Sequence, residues 1–174
     1  NMVKEGVIQG TGGEYSTQRY LLMFSPTKDR VRTLFAAEGF YTNGPYINDN
    51  QYTRTNLLGK VTTNLTGRDE VSFKATFLHS KWDGSGEIPF RAVSAGLLDR
   101  FGSINPHEGG NTLRTTGNLN YHYDTTTGGQ LFANAYGQYY RLDLFTDFTF
   151  FLNDPVNGDG FAQFDRRAIY GGDI

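Results

Sequence analysis

The chain has no cysteine, which removes disulfides, thiolate metal sites and cysteine nucleophiles from consideration. It has no long hydrophobic run either. The longest, "YLLMF" at residues 20 to 24, is far short of the ~20 residues that a membrane-spanning helix needs. Neither sign of charge dominates, since 16 basic residues stand against 18 acidic ones, well mixed along the chain. That leaves no electrostatic footprint for DNA or RNA, and no nucleic-acid partner is expected. His79, His107 and His122 are scattered without the HExxH spacing of a catalytic zinc site. "GTGGEYS" at residues 10 to 16 lacks the lysine and the strand-to-helix setting of a phosphate loop, and reads as a hairpin loop. No Ser/His/Asp arrangement or carboxylate pair can be defended from spacing. Catalytic residues, metals and cofactors are therefore none. The opening "NMVKEGVIQGTGG" shows neither the basic nor the apolar region of a signal peptide, which leaves a cytosolic chain or one missing its natural N-terminus.

What is present is aromatic and glycine-rich: 14 Phe, 11 Tyr and 22 Gly in 174 residues, a composition that favours β-structure. Apolar and polar side chains alternate through eight candidate strands, at about residues 2–10, 17–24, 31–41, 53–65, 71–81, 113–123, 131–146 and 162–171. In the fifth of these, Val71, Phe73, Ala75 and Phe77 oppose Ser72, Lys74, Thr76 and Ser80, and charge is confined to one face. Connections alternate too. "SPTKDR", "TGRDE" and "DTTTGG" are tight and polar, whereas "TNGPYINDNQY", the stretch from Trp82 to Asn111 and "NDPVNGDG" are long excursions. In an up-and-down meander every tight turn then lies at one end, as in outer-membrane barrels with short periplasmic turns and long extracellular loops.

Aromatic placement gives an independent test. The meander places Tyr41 and Tyr139 on the apolar face near the loop end, and Tyr121, Tyr123 and Tyr170 near the turn end. Between these belts fall small or uncharged residues, Phe35, Ala37, Gly59, Val61, Ala75, Gly117, Ala133 and Ala135. Strand lengths suit a tilted membrane strand of ~9–11 residues better than the ~5–6 of soluble sheets. Two alternatives remain open. One is a soluble all-β carbohydrate-binding module that buries the apolar face, Phe73 and Phe77 included, against a second sheet. The other is a small self-closing eight-stranded outer-membrane barrel, in which the first strand pairs with the last.

Several phrases resemble the β-barrel domain of TonB-dependent receptors: "FAAEGFYTNGPY" (35–46), "YTRTNLLGKVTTNL" (52–65), "IPFRAVSAGLLDRFGSINPHEGGNTLRTTGNLNY" (88–121) and "LFTDFTFFLNDPVNGDGFAQFDRRAIYGG" (144–172). The resemblance covers nearly all of residues 1–174. It implies an all-β, antiparallel, up-and-down transmembrane barrel portion, about eight strands of a 22-stranded barrel, as a partial barrel domain whose plug and remaining strands are absent. It implies the outer membrane of a Gram-negative bacterium, with lipid, the protein's own plug and, through the plug, the TonB complex as partners. The activity implied is uptake, not catalysis, of a small-molecule or metal-chelate substrate of the siderophore, cobalamin or oligosaccharide class.

On that expectation Arg32, Glu38, Arg54, Lys60, Lys74, Arg114, Asp165 and Arg167 face the lumen or the plug. Loop residues Tyr46, Asn48, Asp49, Trp82, Asp83, Arg91 and His107 are the candidates for substrate contact, because function concentrates on loops above a rigid scaffold. Phe90, Val93, Leu97 and Phe101 recur at helical spacing and predict a short helix between Pro89 and a capping Gly102. Asp154, Asn157 and Asp159 offer oxygen ligands but not EF-hand spacing, so "NDPVNGDG" reads as a turn. The "NLT" sequon at Asn64 sits beside a tight turn and carries no weight.

Overall fold

The computed structural model describes residues 6–149 and 151–174 of the chain. Nine antiparallel strands form one open sheet: β1 (Val7–Gly12), β2 (Gln18–Phe24), β3 (Thr27–Lys28), β4 (Val31–Thr42), β5 (Tyr52–Thr63), β6 (Asp69–Gly84), β7 (Glu108–Asp124), β8 (Gln130–Thr146) and β9 (Phe161–Asp173). Each long strand pairs with its sequence neighbour, so the order is a simple meander. The predicted strands are all present, except that residues 2–5 of the first lie outside the described residues. The two-residue β3, paired with β4, is an addition inside the first turn.

Register converts the alternation of each strand into two continuous faces. Phe35 pairs with Gly59, Gly59 with Ala75, Ala75 with Gly117, and Gly117 with Gly137, giving an uncharged row across five strands. The rings of Phe35 and Phe73 lie over Gly59 and Gly117, covering backbone that has no side chain of its own. One step along, Lys60 pairs with Lys74 and Lys74 with Asn118, on the opposite face. A slip of one residue would exchange the faces, which is why the pattern fixes the register.

No hydrophobic residue is buried among those described, and Phe73 on the apolar face is 51% exposed. The sheet has no second layer among the described residues. Nor do the described residues close into a small barrel, because β1 and β9 stand at opposite edges. Among the described residues no helix is long and apolar enough to cross a membrane.

Connections fall as the meander requires. Tight links at 25–30, 64–68 and 125–129 lie at one end, and the long excursions 43–51, 85–107 and 147–160 lie at the other. The 64–68 turn is knitted by side chains: Asn64 Nδ2 donates to the Asp69 carbonyl at 2.6 Å, and the Thr66 N–H to Asp69 Oδ1 at 2.6 Å. Asn64 is thereby occupied in holding its own turn. "GTGGEYS" closes the β1–β2 hairpin, with Tyr15 and Ser16 at positive φ and the Gly13 N–H bonded to the Thr17 carbonyl.

Two expectations need correcting. Tyr170 does not join the turn-end belt with Tyr121 and Tyr123; it pairs with Gly137 and so stands in the middle row. The cause is that β9 ends its ladder at Asp173 opposite Asn134, while β8 continues past it toward the turn. The helix is shorter than predicted, α1 (Phe90–Ser94), and its cap is Gly96, not Gly102. Gly96 at φ +70° donates to the Val93 carbonyl and Leu97 to that of Ala92, a Schellman closure that stops the helix early.

Candidate functional site

The polar face carries a wall of charge. Register places Arg32, Glu38, Arg54, Lys60, Lys74, Arg114, Asp165 and Arg167 all on this one face. They are not equivalent. Glu38 is a hub: its carboxylate accepts from Arg19 Nε at 2.7 Å, Arg54 Nη2 at 2.8 Å and Asn56 Nδ2 at 2.9 Å. The Arg54 guanidinium also lies 5.2 Å from the centre of the Phe40 ring. Arg32 pairs with Glu70 at 2.5 Å, and Arg167 forks onto Asp165 while lying over Tyr140. Lys60, Lys74 and Arg114 make no ion pair among the described residues, although Lys60 and Lys74 are direct cross-strand neighbours.

At the loop end of the same face a hollow of about 570 Å³ opens. Its aromatic walls are Tyr46, Tyr52 and Trp82, and its hydrogen-bonding groups are Thr42, Asn50, Ser80 and Thr112. Strand ends supply most of them, because Thr42 and Tyr52 are cross-strand partners and Ser80 pairs with Thr112. Gly110 leaves room for the indole, since a Cβ there would meet Trp82 Cζ2 at 3.0 Å.

The loop above the hollow is fastened rather than free. Asn50 N–H bonds the Asn43 carbonyl at 2.8 Å, Asp83 N–H bonds the Asn50 carbonyl at 2.7 Å, and Ile47 N–H bonds the Phe101 carbonyl at 2.9 Å. Asn48 Nδ2 reaches the carbonyls of Gly84 and Pro106, and Ser85 Oγ donates back to the Asn48 carbonyl. Tyr46 packs edge-on against Phe101 with ring centres 6.4 Å apart.

Of the seven loop candidates, the structure thus brings two, Tyr46 and Trp82, into the hollow. Asn48 is a clamp between loops, and Asp49 accepts from Asn43 Nδ2 at 3.1 Å. Asp83 pairs with Gly109 on the ladder of the apolar face, Arg91 lies in α1, and the His107 N–H bonds Asn105; none of the three lines the hollow. Tyr52, Asn50, Ser80, Thr42 and Thr112 were not singled out by sequence, nor was Arg19.

A second feature at the loop end is acidic. Glu108, 9% exposed, accepts from Thr146 Oγ1 at 3.3 Å, and Asp147 beside it is 3% exposed with Oδ2 lacking any partner. Burial raises the Glu108 pKa above its ordinary 4.5, and the charges of Asp147 and Glu87 push the same way against the Thr146 hydroxyl and the Asp147 N–H. A carboxyl with a raised folded pKa binds its proton more tightly folded than unfolded, so its stability contribution falls as pH rises through the window above 4.5. Glu108→Gln is expected to raise the unfolding midpoint at pH 7 and to flatten its pH dependence between pH 4 and 7, read by urea titration at each pH. An unchanged pH profile would show that Glu108 titrates normally.

Among the described residues no group of three or more His, Asp or Glu is arranged to hold a metal ion. The Asp154 carboxylate accepts instead from the N–H groups of Val156 and Asn157, an Asx turn with Gly158 at φ +84°. Those bonds, led by the Asn157 N–H, hold the Asp154 pKa below its ordinary value.

Comparison of the chain with family models, with curated proteins and with solved structures found no match.

Proposed function

We propose that residues 1–174 are part of the wall and extracellular rim of a TonB-dependent outer-membrane transporter that binds and imports a scarce nutrient. The observation that carries this reading is the apolar face. It is a continuous uncharged band on long strands, exposed, bounded toward the turns by Tyr121 and Tyr123 and toward the loops by Tyr20, Tyr41 and Tyr139. The charges that do occur on that face stand at its two ends, Lys28 and Asp69 at the turns and Lys81, Asp83, Arg141, Asp143 and Arg166 toward the loops. Hydrocarbon accepts such a band, whereas water penalises a contiguous apolar face of this size. The opposite face, which carries the eight predicted charges and Arg19, Glu70 and Glu108 besides, then lines a wet lumen or meets a plug, and the two free sheet edges continue into further strands of a larger barrel.

Under this reading the segment does no chemistry; it supplies a scaffold and the loops that take up substrate. The test is fractionation of the full-length protein. It should sediment with the outer membrane, resist extraction by high salt, and require detergent for solubility. Recovery of the folded protein in the soluble fraction without detergent would falsify the reading.

A further inference from the structure

We infer that the hollow walled by Tyr46, Tyr52 and Trp82 is a binding site for a neutral saccharide, an assignment that rests on the transporter reading above and narrows its substrate. The lining is the argument. A saccharide ring offers an apolar C–H face and a rim of hydroxyls, each of which both donates and accepts. Aromatic rings supply rigid flat contact at small entropic cost, and the hydroxyl and amide groups of Thr42, Ser80 and Asn50 both donate and accept. A site with this chemistry matches both aspects of the ligand.

Charge points the same way by its position. No ionised side chain lines the hollow. The nearest cation along the polar face, Arg54, is committed to Glu38 at 2.8 Å and to the face of Phe40. Asp49 is held by Asn43, and Asp83 stands on the other face of the sheet. An anionic ferric chelate seated in the hollow would meet no cation in its lining, because Arg114, the nearest cation without an ion pair, stands one polar-face position beyond Thr112 and outside it. That is a costly match in a partly desolvated site.

Two further observations indicate a ligand and not merely a gap. Asn50 lines the hollow, and its Oδ1, a buried acceptor, has no donor among the described residues, so the protein does not use up the bonding capacity of this amide. The loop that presents Tyr46 and Asn50 is already bonded to its neighbours through Asn43, Asn48 and Asp83, so binding does not have to order it. The volume, about 570 Å³, lies within the ~300–1,000 Å³ usual for ligand sites.

The experiment is calorimetric titration of the full-length protein in detergent with neutral malto-, cello- and xylo-hexasaccharides, and separately with ferric catecholate and ferric hydroxamate chelates. A neutral hexasaccharide should bind, and Trp82→Ala and Tyr52→Ala should each weaken it by about tenfold or more, as truncating a central aromatic contact does. Trp82→Phe, which keeps a ring, should lose much less, and Thr53→Ala, on the other face, nothing. Heat-modifiable gel migration verifies that each variant is folded. Failure of every neutral hexasaccharide to bind, or binding undiminished in folded Trp82→Ala, overturns the inference. Binding of a ferric chelate alone, by a protein that fractionates with the outer membrane, overturns the saccharide site and leaves the transporter reading standing. Saccharide binding by a protein recovered folded without detergent keeps the site and ends the transporter reading.

Discussion

Ala75→Arg in the full-length protein is expected to lower folding stability in a phospholipid bilayer by about 2–4 kcal/mol, the cost of a cation near the midplane on the lipid side of a barrel. Ala75 is the position to choose because its ladder partners on both sides are glycines, Gly59 and Gly117. The rings of Phe35 and Phe73 lie over those glycines, so the arginine must extend past them, and its charged end reports the medium outside. The control is Gln138→Arg. Gln138 pairs with Thr116 and is the next residue after Gly137, which shares the row of Ala75, but it points to the polar face. There the same charge should cost less than about 1 kcal/mol, because polar-face positions of such barrels are wet. Urea unfolding in vesicles, followed by heat-modifiable gel migration, measures both. The difference between the two variants carries the meaning. An exposed position in a water-soluble protein changes stability by about 0.5 kcal/mol or less. Equal, small effects at both sites would remove lipid from the apolar face.

Period two was legible because every strand repeats it and each repeat must agree with its neighbour. The eight charged residues assigned to one face fall together in the observed register, since one error in any strand would have reversed that strand alone. Tyr170 was misplaced for a related reason. Alternation tells which face a residue takes but not how far β9 runs along β8, and the ladder stops at Asp173. The helix suffered from a competing signal: Phe90, Val93, Leu97 and Phe101 keep helical spacing, yet Gly96 takes the left-handed conformation and ends the helix after Ser94.

The loops obey no period, and there the reading was weakest. Asn48 and Asp49 looked like ligand contacts, being polar loop residues, but Asn48 is used to satisfy the backbone carbonyls of Gly84 and Pro106, and Asp49 accepts from the Asn43 side chain within its own loop. The hollow was missed for the opposite reason. Thr42, Tyr52, Ser80 and Thr112 sit at strand ends, where the alternation made them look like ordinary wall, and only the pairing of four strands assembles them with Tyr46 and Trp82. Arg19 escaped notice because nothing in its own strand shows that Glu38, on the next long strand, will sit beside it.

That pair leads to the second large effect. Glu38→Ala should destabilise the protein by about 2–3 kcal/mol, more than any other single removal on the polar face. The range follows from two limits. Exposed ion pairs are worth about 0–1 kcal/mol, while stripping one partner from a buried pair costs about 3–5 kcal/mol. Glu38 lies nearer the buried limit at 13% side-chain exposure, whereas Arg19 and Arg54 keep 32% and 33% and can partly recover hydration. Loss of the carboxylate leaves two guanidiniums facing each other across one strand, β4, and frees the Asn56 amide as well. Removing the whole cluster, Arg19→Met and Arg54→Met together with Glu38→Leu, should restore most of the loss, because the unpaired charge and not the missing contact is what costs. The same urea assay decides it. A loss below about 1 kcal/mol, or a triple variant no more stable than Glu38→Ala, would mean that water already screens the arginines. The hub would then be an ordinary wet ion pair, and the tie across β2, β4 and β5 would rest on the backbone ladder alone.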